Sequence, residues 1–208
     1  MRNGRRCAAI RPANGKYAGR RGAFAALAAC VVLAGCASDP LATFDLTAPR
    51  SGLSPRKVVA SIVVSAPEAL APLDSDRIMV RSSGASVGLL KGAQWSDRLP
   101  QLFRSRLIQT FENGSSIRAV ARPGDRISAD YNLVSEIRRF EIDAGTGQAV
   151  VEISAKMVRE GGGSIAAGRI FEARTPVASV GDGEAVAALD VAMGRVLRDI
   201  AGWAASVR

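Results

Sequence analysis

Histidine is absent from all 208 residues, aromatic residues make up only 5 %, and the three cysteines are scattered at Cys7, Cys30 and Cys36. Without imidazole there is no Ser-His-Asp or Cys-His catalysis, no His-ligated zinc, and no side chain whose ordinary pKa lies near neutrality. The cysteine spacings match no CxxC pattern, which argues against a redox or metal role. Long hydrophobic runs are missing too. The apolar stretch Ala23 to Gly35 has thirteen residues, about 20 Å of helix against a hydrocarbon core of ~30 Å. What remains is 48 % apolar and 23 % charged, close to the average for folded domains, and the length suits one core or at most two small ones.

The formal charge of +9 is unevenly placed. Arg2, Arg5, Arg6, Arg11, Lys16, Arg20 and Arg21 precede the apolar stretch with no acidic residue among them, which is the layout of an export signal. A short retained N-terminal anchor is the alternative. Setting those seven aside leaves 21 of the 28 basic residues against 19 acidic ones, about +2, so a nucleic-acid partner loses its electrostatic support.

The apolar stretch ends in Leu33-Ala34-Gly35-Cys36, which resembles a bacterial lipobox. One bulky and two small residues suit the narrow groove of lipoprotein signal peptidase, and the thiol is the atom that becomes a diacylglyceryl thioether. On this reading residues 1–35 are a signal peptide, Cys36 is the lipidated first residue of the mature protein, and Cys7 and Cys30 are discarded. Three acyl chains at ~0.8 kcal/mol per buried CH₂ would hold the protein on a membrane essentially permanently. Ala37 in place of Asp after the cysteine points, by resemblance to the sorting rule, to the outer membrane.

Residues 36–56, rich in Pro, Gly and Ser, read as a lipidated tether with one short strand at 41–46; residues 57–208 read as the domain. Strands are expected at 58–65, 77–81, 86–90, 117–121, 131–143, 150–159 and 165–174. In the segment from Tyr131, the apolar phase switches between Ile137 and Phe140, which predicts a bulge near Arg138-Arg139. Helical spacing covers 97–112 and 184–204, each with one apolar face. The result is an α+β single domain, a largely antiparallel sheet with two amphipathic helices packed on one face.

No catalytic motif is visible. Gly161-Gly162-Gly163 is a hairpin loop because no GK[ST] follows. Gly181-Asp182-Gly183-Glu184 lacks the other ligands of a calcium loop, so no metal site and no cofactor are expected. The carboxylates Asp74 and Asp76, or Glu136 and Glu141, read as solvated charges. The arginines Arg118, Arg122, Arg126, Arg138 and Arg139 are interleaved with acids and read as neutralised surface. Trp95 is read as core or as a candidate partner contact.

Phe44-Asp45-Leu46, Asp76-Arg77-Ile78, Trp95 with Pro100, Leu102 and Leu107, Ala129-Asp130-Tyr131, Phe140, Phe171-Glu172-Ala173 and an Ala-rich last helix follow one another over 44–205. In that order and spacing the chain resembles the ABC-type transport auxiliary lipoprotein family. The resemblance implies a non-enzymatic periplasmic lipoprotein on the outer membrane that docks an MCE-domain protein and an ABC permease and ATPase, moving lipids between membranes. Homo-oligomerisation is compatible with it. A pilotin-like or structural assembly lipoprotein of another envelope complex is the alternative. A lipoprotein hydrolase is disfavoured because no activated nucleophile is visible.

Overall fold

Two long strands, Tyr131–Asp143 and Gln148–Arg159, organise the sheet. Their thirteen and twelve residues alternate apolar and polar side chains, and about 40 Å of strand offers more edge than any single short neighbour can cover. The computed structural model describes residues 41–50, 58–114, 117–178 and 182–207. The expected export signal, Leu33, Ala34, Gly35 and Cys36 lie outside the described residues.

In chain order the elements are β1 (Ala42–Phe44), β2 (Val58–Val64), β3 (Glu68–Ala69), β4 (Arg77–Ser83), β5 (Ser86–Trp95), α1 (Leu99–Gly114), β6 (Ile117–Ala121), β7 (Tyr131–Asp143), β8 (Gln148–Arg159), β9 (Ile165–Pro176) and α2 (Asp182–Ala204). One edge of β7 pairs antiparallel with β8 along its whole length, and β8 pairs the same way with β9. The other edge of β7 is shared by three short strands in succession, β2 at Tyr131–Leu133, β3 at Glu136–Ile137 and β4 at Glu141–Asp143, all parallel to it. Beyond them β6 extends from β2, and β5 followed by β1 extends from β4. The long ladders are antiparallel and the short ones parallel, so the sheet is mixed but mostly antiparallel, as expected.

The bulge in β7 falls between Ile137 and Arg139, the pair at which the register with β8 shifts. Its effect is to turn Leu133 and Ile137 before it, and Phe140 and Ile142 after it, toward the same core; all four are buried. β5 runs on to Trp95 rather than stopping at Leu90. The reason is a second irregularity: between Leu89 and Gln94 it loses register with β4, and Gly92 takes φ 77° there, a conformation that glycine adopts at no steric cost. Past this kink Gln94 pairs with Arg77 of β4 again, and the other edge of β5 takes up β1. β3 was not foreseen, since two residues carry no periodic signal.

Both helices lie on one face of the sheet. Leu102, Phe103, Leu107, Ile108 and Phe111 form the buried stripe of α1, and Val186, Leu189, Met193, Val196, Leu197 and Ile200 that of α2. Ala185, Ala188, Ala192, Ala201 and Ala204 are also buried; with only a methyl at those positions α2 can lie close against β8, β9 and α1. At its far end Trp203 meets Phe171 edge to face, ring centres 5.4 Å apart.

Candidate functional site

The first described residues, from Leu41 to Arg50, are held by side chains of the domain, Arg106 and Asp190 on its helices among them. Asp45 accepts hydrogen bonds from its neighbour's backbone, Leu46 N–H at 2.8 Å, and from Ser96 Oγ at 3.2 Å, and it pairs with Arg106 of α1. Leu46 is fully buried in the core. Thr47 donates its backbone N–H to Asp190 Oδ1 and its hydroxyl to Asp190 Oδ2, both at 2.7 Å, which ties the segment to α2. Asn113 Nδ2 then donates to Pro49 O at 3.0 Å. Burial pushes the Asp45 carboxyl up, but the Arg106 hydrogen bond, the Leu46 N–H, the Arg106 charge and Ser96 together hold it below its ordinary 3.8. Within the stretch read from sequence as tether, residues 41–50 are therefore packed on the domain. Asp190→Ala should cost about 1–2 kcal/mol, the worth of hydrogen bonds to a charged group at a partly wet site. Urea unfolding of the purified domain would measure it.

The helix-free face carries a second cluster. Glu141 projects there because Phe140 and Ile142 on either side face the helices. Its register neighbours Met79 and Val150 are buried beside it, so the carboxylate sits against apolar side chains. Arg81 grips it with two bonds, Nε to Oε1 at 2.8 Å and Nη2 to Oε2 at 2.9 Å. Arg139 adds Nε and Nη2 to Oε1 at 2.8 and 2.7 Å, with Asp143 beyond it at 3.6 Å. Burial pushes Glu141 up, yet the hydrogen bonds from Arg81 and Arg139 and their charges outweigh this and hold it below 4.5. A carboxyl so held is ionised near neutrality and supplies no general acid there. The Glu141 hydrogen bond in turn raises Arg81.

The remaining candidates are also placed. Arg138 pairs with Glu152 at 3.0 Å and Arg118 with Asp130 at 3.8 Å, while Arg122 N–H donates to Asp125 Oδ2 at 2.7 Å, so much of this arginine group is locally balanced by acids. Asp74 pairs with Arg98. Glu136 and Glu141 face opposite conditions, one exposed and one buried, and the structure does not bring them together as an acid-base pair. Trp95, open at the sequence level between core and partner contact, is in the core: it is 2 % exposed and stands edge to face on Phe140, centroids 5.8 Å apart at 86°. The physical reason is that β5 runs five residues beyond Leu90 and carries the indole into the core. Among the described residues no three His, Cys, Asp or Glu side chains gather to hold a metal, and no helix is long and apolar enough to cross a membrane.

Sequence inspection missed both clusters. Asp45 and Arg106 lie 61 positions apart and Thr47 and Asp190 143, and nothing local marks them. Glu141 stood out in the sequence only as a carboxylate near Glu136, read as a solvated charge; its burial and its two arginines were not legible there.

The fold and its clasped leader segment define a two-layer α+β domain with an open sheet, a class that supports many functions. A sequence model of the ABC-type transport auxiliary lipoprotein component matches residues 44–201. The chain belongs to this family. It is 35 % identical over 164 residues to an uncharacterized protein of Bradyrhizobium diazoefficiens, covering 77 % of this chain but only 44 % of that protein, so the chain spans less than half the length of this relative. A crystal structure of a DUF330 protein from Xanthomonas campestris superposes with a TM-score of 0.70 at 27 % identity, over 79 % of this chain and 94 % of that one. A further solved structure, of an uncharacterized protein, shares the fold at a TM-score of 0.61 and 16 % identity, over 78 % of this chain and 97 % of that one.

Proposed function

We propose that this auxiliary lipoprotein is anchored in the outer membrane through Cys36 and works in the periplasm without catalysis of its own. It docks an MCE-domain protein and its ABC permease and ATPase, serving lipid transport between the membranes. The observation that carries this reading is the family match over 44–201, directly after a lipobox that ends at Cys36. Supporting it, the most buried carboxylate among the described residues, Glu141, is committed to the two arginines Arg81 and Arg139. A domain of this kind contributes surface rather than chemistry, and energy comes from its partners.

Two experiments bear on it. Cys36→Ser removes the thiol that is acylated, so metabolic labelling with radioactive palmitate should mark the natural protein and not the variant, read by autoradiography of the immunoprecipitate; label that survives the substitution would contradict the anchor. Detergent co-purification of the tagged, lipidated chain should recover an MCE-domain protein together with permease subunits. Recovery of a secretin or another pore in their place would favour the pilotin-like alternative.

A further inference from the structure

The direction of β1 says which end of the domain faces the anchor. β1 runs parallel to β5, with Ala42 opposite Ala93, Thr43 opposite Gln94 and Phe44 opposite Trp95. Gln94 Nε2 also donates to Thr43 Oγ1 at 3.2 Å. Followed backwards from Ala42, the strand axis points along β5 toward its start, past Lys91, Leu89 and Val87 to the Gly84-Ala85 turn. Only five residue steps separate Cys36 from Leu41, a reach of no more than about 17 Å even when extended. An acyl-bearing Cys36 therefore keeps the start of β1, and the stretch of β5 that leads back from Ala93 toward the turn, within about 17 Å of the bilayer.

The end so placed suits a lipid surface. Residues 82–89 are all exposed. Val87 and Leu89, at 46 % and 48 %, are two residues apart and share a face. Lys91 is exposed beside them, and from Arg77 to Ser96 there is no acidic residue. The hairpin is not loose at its base. Arg81 is gripped by Glu141 of β7 and donates through Nη1 to Gly84 O at 3.2 Å, so the tip projects from the central strand as a braced element.

We propose that the β4–β5 hairpin rests on the leaflet that holds the Cys36 acyl chains, with Val87 and Leu89 at the headgroup boundary and Lys91 against lipid phosphates. This rests on the lipid anchor proposed above. It gives the domain one orientation on the membrane: the β4–β5 turn down, and the opposite end of the sheet, where β8 turns into β9, presented to the periplasm. Exposed aliphatic side chains and a cation next to an acylated residue add a second membrane signal to the first.

Cys36 of the lipidated protein is blocked as a thioether and the other two cysteines lie in the signal, so a single introduced thiol takes a fluorophore cleanly. Leu89→Cys and Ala85→Cys, each carrying an environment-sensitive label, are reconstituted as full lipidated protein in vesicles of phosphatidylethanolamine and phosphatidylglycerol. Ile165→Cys is the control. Arg174 lies in register with Leu89 across the sheet, and Ile165 is nine residues from it along β9, about 30 Å away. At positions 85 and 89 emission should rise severalfold, shift to the blue and be quenched by headgroup nitroxide lipid; at 165 it should stay as in water. Vesicle-bound protein with all three labels equally exposed would overturn the orientation and leave the anchor standing. An unmodified Cys36 by mass spectrometry would remove anchor and orientation together.

Discussion

Glu141→Gln should lower the stability of the domain by about 2–4 kcal/mol, somewhat under the ~3–5 expected for breaking a fully buried ion pair. The reduction follows from the partners: the Arg81 and Arg139 side chains keep 30 % and 26 % of their exposure, so water recovers part of what the carboxylate supplied. Thermal unfolding should fall by roughly 5–10 °C. The pH dependence is the sharper signature. In the folded protein Glu141 is held below 4.5, so as pH falls the unfolded chain takes up the proton first. Its contribution is complete above the unfolded value and is lost as pH drops through the folded one. Asp45, held below 3.8, acts in the same sense. Urea midpoints measured from neutral pH down to about 3 should fall steeply for the natural protein and less steeply for Glu141→Gln. Parallel curves would show that the cluster does not govern acid stability.

Trp95→Ala is the other large effect, about 3–5 kcal/mol, because it leaves a cavity where a fully buried indole meets Phe140. Trp95→Phe retains an aromatic at the same place and should cost no more than about half of that. The pair of variants separates packing from recognition. If Trp95→Phe keeps partner recovery in co-purification while lowering stability, the indole acts through the core, as its burial requires. A loss of partner with unchanged stability would assign it to a contact instead. Equilibrium unfolding alongside the pull-down reads both.

Much of the architecture was legible in advance because its signals are local. Thirteen residues of alternation ending in a phase switch specify β7 and its bulge, and Leu102, Phe103, Leu107 and Phe111 specify α1 without any knowledge of what they pack against. The parts that escaped notice are those set by a partner distant in sequence. β3 exists because Glu68 and Ala69 reach the one free stretch of β7 between β2 and β4; alone they are two unremarkable residues. Trp95 looked half-available because it precedes a helix in a polar stretch, and the continuation of β5 through the Gly92 kink is what buries it. Glu141 read as a surface charge because its neighbours Met79 and Val150, and the guanidinium of Arg81, come from other strands.

By itself the sequence determined the chemistry that is missing and the order of the elements. A chain without histidine lacks imidazole whatever its fold, and periodicity is a property of consecutive residues. Tertiary structure alone decided which charges are buried, where the residues after the lipobox are tied down, and which end of the sheet they enter from. Those are relations between residues 51 to 143 positions apart, carried by burial, strand register and hydrogen bonds, and no local pattern encodes them.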